Sequence, residues 1–386
     1  MKQKIAFIVS APVTARVFLA HQINELSKRY DVTVIVNLDQ ADNTLDNISA
    51  KVHIRSLPIE RDISYIADLK ALVLLTRLFL RERFILTHSV TPKAGLIANL
   101  AGYLSRVPNR LHTFTGQVWL TQNGFKRWLL KSMDKWIVML ATKVLADSVS
   151  QRDFLIKHEI VKEDSIVVLE EGSISGVDLL RFHPSSHVRK SIRHTLNLDP
   201  SAKVLLFLGR MKVDKGVLDL AHAFAEIYRK YPGIALLYIG PDEENLTPEI
   251  INICGEAKSA LKFIEYTNRP EDYMASADIL VLPSYREGFG TVVIEAAACE
   301  VPAVVSNIYG LTDAVEDGET GLLFEVGDTD QLVYSLGKLI KDNNLRTRLG
   351  RNARKRAGER FSQERVTNAL CVLYNQLLNN RDSNIK

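Results

Sequence analysis

Cysteine is scarce in this chain: Cys254, Cys299 and Cys371 stand far apart, are odd in number and share no C-x-x-C spacing. That excludes a disulfide framework and a zinc cluster and points to a reducing compartment. Long apolar runs are also missing. The most apolar stretch, Leu69 to Leu80, is interrupted by Lys70 and Arg77 and falls short of the ~20 residues of a spanning helix. The opening run Ile5 to Val9 is too short for a signal peptide, and no small-residue cleavage site follows it; it reads as a buried strand, and the expected location is cytoplasmic. Neither G-x-x-x-x-G-K-[ST] nor G-x-G-x-x-G occurs, which sets aside kinase and dehydrogenase nucleotide loops. Low-complexity tracts and repeats of solenoid period are absent as well.

What is present is an ordinary globular composition, 46% hydrophobic and 24% charged, without the apolar depletion that marks disorder. A chain of 386 residues suits two domains of roughly 150 to 200 residues each. Short β-branched runs alternate with helical patterns: Ile5 to Val9, Val32 to Val36, Val144 to Ala146, Val204 to Leu208, Ile234 to Ile239, Ile279 to Leu282 and Ala303 to Val305. Strand, helix, strand order implies α/β domains with parallel sheets buried on both faces. The pattern pauses between Gly172 and Pro200, where the linker is placed. The expected domains are 1–180 and 181–360, followed over 361–386 by an amphipathic helix.

Two segments carry the chemistry. In Leu282-Pro-Ser-Tyr-Arg-Glu287-Gly-Phe-Gly290-Thr-Val-Val-Ile-Glu295 a strand passes through two glycines into a helix. Gly288 and Gly290 allow close approach of a ligand, and the free N–H groups at the helix start, from Phe289 and Gly290 to Thr291, favour an anion such as a diphosphate. Glu295 can accept hydrogen bonds from ribose hydroxyls and Glu287 from a sugar. Two carboxylates beside an anion demand cations nearby. Gly209-Arg210-Met-Lys-Val-Asp-Lys215-Gly216, after the strand ending at Leu208, supplies them. Both segments lie at C-terminal ends of strands, where open parallel sheets bind ligands. Asp328-Thr-Asp330 is the D-x-D in view and reads as the polar start of a helix near Gln331 rather than as a metal site.

These residues resemble the retaining glycosyltransferases of the GT-B fold, specifically glycosyltransferase family 4. Glu287 and Glu295 match its E-x7-E motif, Gly209-Arg-x4-Lys-Gly216 its diphosphate clamp, and Gly176-Val-Asp-Leu-Leu-Arg-Phe-His-Pro184 its interdomain segment. The resemblance covers residues 170 to 365 well. It implies two Rossmann-like domains facing across a cleft, with Arg210 and Lys215 on the donor diphosphate, Glu295 on the ribose and Glu287 on the transferred sugar. It further implies retention of configuration, a nucleobase pocket near Phe263 to Arg269, with Arg269 facing the donor or simply exposed, and a final helix returning to the N-terminal domain. The donor it suggests is a UDP-sugar, a hexose or N-acetylhexosamine, and the acceptor a polyprenyl-diphosphate-linked saccharide in O-antigen, lipopolysaccharide or capsule synthesis. No cofactor or metal is expected, so activity should persist in EDTA. An epimerase or hydrolase on the same frame, or a non-catalytic sugar-nucleotide or membrane-binding protein, is the competing reading.

The N-terminal half is expected to hold the acceptor. Relatives open with a glycine-rich loop where this chain has Ser10-Ala-Pro-Val-Thr14. The run Leu111-His112-Thr-Phe-Thr115-Gly116-Gln-Val-Trp119 resembles a cleft loop, so Thr115 and Gly116 are donor-side candidates. His112 is a catalytic candidate, with a packed, hydrogen-bonded histidine as the alternative. Between Arg77 and Lys143 eleven Lys or Arg face only Glu82 and Asp134. Trp119, Trp128 and Trp136 fall in that region, and Arg127, Lys131 and Lys135 recur at helical spacing beside Leu130, Met133 and Ile137. A basic amphipathic helix of this kind suits the anionic inner face of a membrane or a core-packed helix with a solvated face. No nucleic-acid module accompanies the charge.

Overall fold

The computed structural model describes residues 2–38, 45–59 and 64–379. The chain forms two compact units: the first runs to Ser175 and takes in the chain again from Gln363, and the second is Gly176–Ser362.

In the first unit seven strands form one sheet: β1 (Lys4–Val9), β2 (Asp31–Val36), β3 (His53–Ser56), β4 (Leu86–Val90), β5 (Asn109–Phe114), β6 (Lys143–Ala146) and β7 (Ile166–Val168), in the order β3-β2-β1-β4-β5-β6-β7. All pairs are parallel. Strand β1 shows why its sequence is apolar without alternation: Ile5, Phe7 and Val9 join one core with Ile23 and Leu370, while Ala6 and Ile8 join another with Leu75 and Ala98. Helices cover both faces, so every position from Ile5 to Val9 is buried.

The second unit holds β8 (Lys203–Leu208), β9 (Ile234–Ile239), β10 (Leu261–Ile264), β11 (Ile279–Leu282), β12 (Ala303–Ser306) and β13 (Gly321–Phe324), also parallel, in the order β10-β9-β8-β11-β12-β13. In that order the chain winds outward from β8 in one direction and from β11 in the other. The crevice between β8 and β11 is therefore a topological switch point, the place where such sheets bind ligands.

Several expectations change. The loop after β1 is only Ser10 and Ala11: helix begins at Pro12, and Thr14–Leu19 is wound as a π-helix before Ala20–Ser27 continues. The polar stretch 186–195 is a helix, Ser186–Thr195, of the second unit rather than linker. Its Arg189 and Arg193 reach Asp278 at 2.8 and 2.7 Å. The chain passes between units at Ser175/Gly176 and again at Ser362, where Val177 N–H donates to Phe361 O at 2.8 Å. Phe361 thus ends the helix Asn343–Phe361, and the terminal helix is Gln363–Asn379. That helix buries Val366, Leu370 and Tyr374 within the first unit; residues 380–386 lie outside the described residues. Among the described residues no helix is long and apolar enough to cross a membrane.

Candidate active site

Strands β8 and β11 are hydrogen-bonded neighbours with Leu205 opposite Ile279, so the turns leaving them emerge side by side. After β8 come Gly209, Arg210 and a 3-10 turn, Val213–Lys215, before the helix Val217–Lys230. After β11 comes Pro283 to Gly290, before the helix Thr291–Ala298.

The turns are locked together. Gly216 sits at φ 66°, and a Cβ there would lie 2.0 Å from Pro283 O, so only glycine permits this contact. Tyr285 N–H donates to Asp214 O at 3.0 Å, Arg286 pairs with Asp214 at 2.9 Å, and Tyr285 Oη donates to Asp219 Oδ2 at 2.9 Å. Across the seam Lys215 Nζ lies 2.6 Å from Glu287 Oε1. Ser284 Oγ donates to the same oxygen at 2.9 Å. With side-chain exposures of 13% and 17%, this ion pair is shielded enough from solvent to hold its geometry.

Gly290 caps the second helix at φ 80° with no side-chain cap; Val293 N–H turns back to Gly290 O at 2.8 Å, and the N–H groups ahead of it meet no side chain of the capping residue, as an anion at a helix start requires. A Cβ at Gly290 would meet Leu311 Cδ2 at 2.5 Å. Inside that helix, burial pushes the Glu295 carboxyl up to about 7; Arg181 pulls it down and Glu271 pushes it further up. Arg181 itself donates to Glu271 Oε2 at 3.0 Å and to Asn268 O at 3.1 Å. Arg181 and Glu271 were not picked out as site residues from the sequence, although Arg181 lies inside the quoted Gly176 to Pro184 motif.

Of the other candidates, Phe289 is buried against Phe361, ring centroids 5.1 Å apart; its side chain is core, and only its backbone reaches the turn. Arg269 is exposed and doubly bonded to Asp272, at 2.6 and 3.0 Å. The exposed-loop alternative describes it. The second unit thus brings together Gly209, Arg210, Lys215, Glu287, Gly288, Gly290 and Thr291 beyond the carboxyl ends of the two central strands, β8 and β11, with Glu295 about one turn further in.

In the first unit Leu111 to Phe114 is strand, not loop. His112 is fully buried on β5, its Nδ1 3.0 Å from Ser89 Oγ and its ring against Gly95, where a Cβ would come within 2.3 Å. Burial first, then His88, drive its pKa down to about 3. A neutral ring so enclosed is a packing residue, which corrects its candidacy as a catalytic group. Thr115 is half-buried and Gly116 has φ 107°. Trp119 is likewise core, donating to Asp134 Oδ2 at 2.8 Å with Arg127 and Lys131 over its ring. On the helix Gly124–Leu140 the outward face is instead apolar: Phe125, Trp128, Trp136 and Met139 are exposed, with Lys126 and Lys135 beside them. Among the described residues no cluster of three metal-ligating side chains occurs, and Asp328 caps the helix Thr329–Lys341 by accepting from Gln331 N–H at 2.9 Å.

Two parallel α/β units, one carrying a cationic turn and a glycine-capped helix at its switch point, define the GT-B glycosyltransferases. The sequence profile "Glycosyl transferase 4-like domain" matches residues 14–172 and "Glycosyl transferases group 1" matches residues 188–356. The capsular polysaccharide biosynthesis glycosyltransferase CapM of Staphylococcus aureus is 34% identical over 352 residues, 91% of either chain. The Escherichia coli UDP-Gal:alpha-D-GlcNAc-diphosphoundecaprenol alpha-1,3-galactosyltransferase is 26% identical over 329 residues, 83% of either chain. Anabaena HepE, solved in complex with UDP-glucose, has the same fold: TM-score 0.80 over 98% of this chain and 99% of that one, at 19% identity. The chain belongs to the GT-B glycosyltransferases of the family 4 type.

Proposed function

We propose that this glycosyltransferase moves a hexose or N-acetylhexosamine from a UDP-sugar to a polyprenyl-diphosphate-linked saccharide, in synthesis of a capsule or O-antigen type of polysaccharide, with retention and without a metal. The observation that carries the reading is the pair of locked turns at the β8/β11 crevice, in which Lys215 and Glu287 meet at 2.6 Å beside the uncapped start of the helix Thr291–Ala298. The names of the Staphylococcus aureus and Escherichia coli relatives, and the UDP-glucose bound by HepE, support the choice of donor and acceptor.

In this reading Arg210, Lys215 and the N–H groups after Gly290 hold the diphosphate. As the bond from the anomeric carbon to the phosphate oxygen breaks, negative charge accumulates on the departing nucleotide, and cations already fixed in place stabilise it without reorganising. Glu295 takes the ribose hydroxyls and Glu287 those of the sugar. Lys215 keeps Glu287 oriented while neutralising it against the diphosphate. The first unit takes the acceptor, while Thr115 and Gly116, which follow β5, are read on the donor side.

The test is incubation of UDP-sugars with polyprenyl-diphosphate-linked saccharide in EDTA, with the anomer of the product read by NMR. Acceptor-dependent transfer with retention is expected at full rate. Loss of activity in EDTA, an inverted product, or donor turnover without acceptor, as an epimerase or hydrolase would show, overturns the reading.

The exposed stripe Phe125, Trp128, Trp136 and Met139, flanked by lysines, suits a helix lying at the headgroup level of an anionic membrane, where the lipid-linked acceptor resides. Trp128→Ala/Trp136→Ala is expected to weaken co-sedimentation with phosphatidylglycerol vesicles on the order of tenfold while transfer to a water-soluble acceptor analogue is unchanged. Equal vesicle binding by the variant removes the membrane from the proposal.

A further inference from the structure

Arg210, assigned above to the donor diphosphate, already has an anionic partner. Its Nη1 lies 3.2 Å from Glu243 Oε2, and Lys212 Nζ lies 3.5 Å from the same oxygen. Glu244 secures the neighbouring part of the turn: its Oε1 is 3.3 Å from Lys212 Nζ and its Oε2 accepts Val213 N–H at 2.9 Å.

The backbone dictates this placement. The segment after β9 is strapped to the segment after β8 by Gly209 N–H to Ile239 O at 2.9 Å, Met211 N–H to Pro241 O at 2.8 Å and Glu243 N–H to Met211 O at 3.2 Å. Gly240, at φ 134°, lets the two approach so closely that a Cβ there would lie 2.0 Å from Gly209 O. Asp242 spends its carboxylate on Leu246 and Thr247 N–H, both at 2.8 Å. Glu243 is thus held at both sides, with its carboxylate aimed at Arg210.

We propose that Glu243 is a built-in competitor of the donor: its carboxylate occupies the Arg210 guanidinium between turnovers, yields it to a phosphate oxygen as the nucleotide sugar binds, and reclaims it as the nucleoside diphosphate leaves. This deepens the donor reading and rests on it. With exposures of 40% and 29%, the Arg210–Glu243 pair is weak enough to exchange. A diphosphate carries more charge and matches the guanidinium fork with two hydrogen bonds. The other pair behaves differently: Glu287 is more enclosed, is also held by Ser284, and stays on Lys215. Exchange at one cation and permanence at the other keep the nucleotide from binding so tightly that its release limits turnover.

The test is UDP affinity by titration calorimetry for the wild type, Glu243→Gln, Arg210→Ala and the double variant; both side chains are partly exposed, so neither substitution opens the core. Glu243→Gln is expected to bind UDP roughly two- to fivefold more tightly, and to make no difference in the Arg210→Ala background. No tightening, or tightening that persists without Arg210 and so reflects a diffuse field, overturns the inference while leaving the donor site standing. If Arg210→Ala alone leaves UDP affinity intact, the assignment of Arg210 to the donor diphosphate falls, and this inference with it.

Discussion

Lys215→Met is expected to lower turnover by about 10²- to 10³-fold and to weaken UDP binding as well. Methionine keeps the length and apolar stem of the side chain, so the turn between β8 and the helix Val217–Lys230 stays packed and only the charge is lost. Two consequences follow from one deletion. The diphosphate loses a fixed cation at the oxygen that gathers charge as the glycosidic bond breaks. Glu287 keeps Ser284 Oγ at 2.9 Å but loses the ammonium at 2.6 Å, so an unneutralised carboxylate faces an incoming anion. Lys215→Arg should recover little, because a planar guanidinium cannot occupy the position of a compact ammonium in a side-chain site only 13% exposed. Steady-state transfer and UDP calorimetry check both. Wild-type turnover and affinity in Lys215→Met and Arg210→Ala together would remove the electrostatic basis of the proposed donor site.

That site was largely legible because its determinants are local. Gly209 to Gly216 and Leu282 to Glu295 each form one strand-turn-helix passage, and glycines at positive φ, such as Gly216 and Gly290, are needed within a few residues of the cations and carboxylates they position. The contact partners of Arg181 and Arg210 were less visible, since Glu271 and Glu243 come from segments 90 and 33 residues away in sequence. The strands divide in the same way. Seven strands of continuous apolar sequence were read, whereas the short β7, Ile-Val-Val, and the polar β4 and β5, Leu-Thr-His-Ser-Val and Asn-Arg-Leu-His-Thr-Phe, were not.

The polar residues of β4 and β5 break the apolar run that marks a strand, yet His88, Ser89, His112 and Thr113 are buried, His88 bonded to Thr113 and Ser89 to His112 Nδ1, with His112 Nε2 left without a hydrogen-bond partner. His88 Nε2 meets Thr113 Oγ1 and its Nδ1 meets Tyr374 Oη, each at 2.8 Å. Burial holds the ring neutral, its pKa driven down to about 3. Tyr374 lies 286 residues further along the chain, on the helix Gln363–Asn379, so no local window contains the partner that makes His88 a core residue. Trp119 is core for a nearer reason: it packs with Phe114, Ile137 and Leu155 and bonds Asp134.

Asp278→Ala is expected to destabilise the second unit by about 3–5 kcal/mol. Asp278 receives Arg189 at 2.8 Å, Arg193 at 2.7 Å and Val204 N–H at 2.8 Å, so one carboxylate joins the helix Ser186–Thr195 to the start of strand β8. Removing it strands Arg193, whose side chain is 5% exposed, with only carbonyl partners at Ser276, Pro200 and Ala202. A guanidinium enclosed without its counter-charge is the costly case, whereas Arg189, 34% exposed, can turn to water. Burial pushes the Asp278 carboxyl up, but Arg189, the Val204 N–H and Arg193 outweigh it and hold the group below the usual carboxylate range. The sign follows from linkage: a depressed carboxylate stabilises fully above its unfolded pKa of about 4, and that contribution fades as pH falls through the folded value. Wild type should therefore lose its advantage over Asp278→Ala below about pH 4, and near neutrality the variant's melting transition should fall by about 10 °C. Calorimetry across that pH range distinguishes this from a solvated surface pair, for which the two proteins would melt within about 2 °C of each other at every pH.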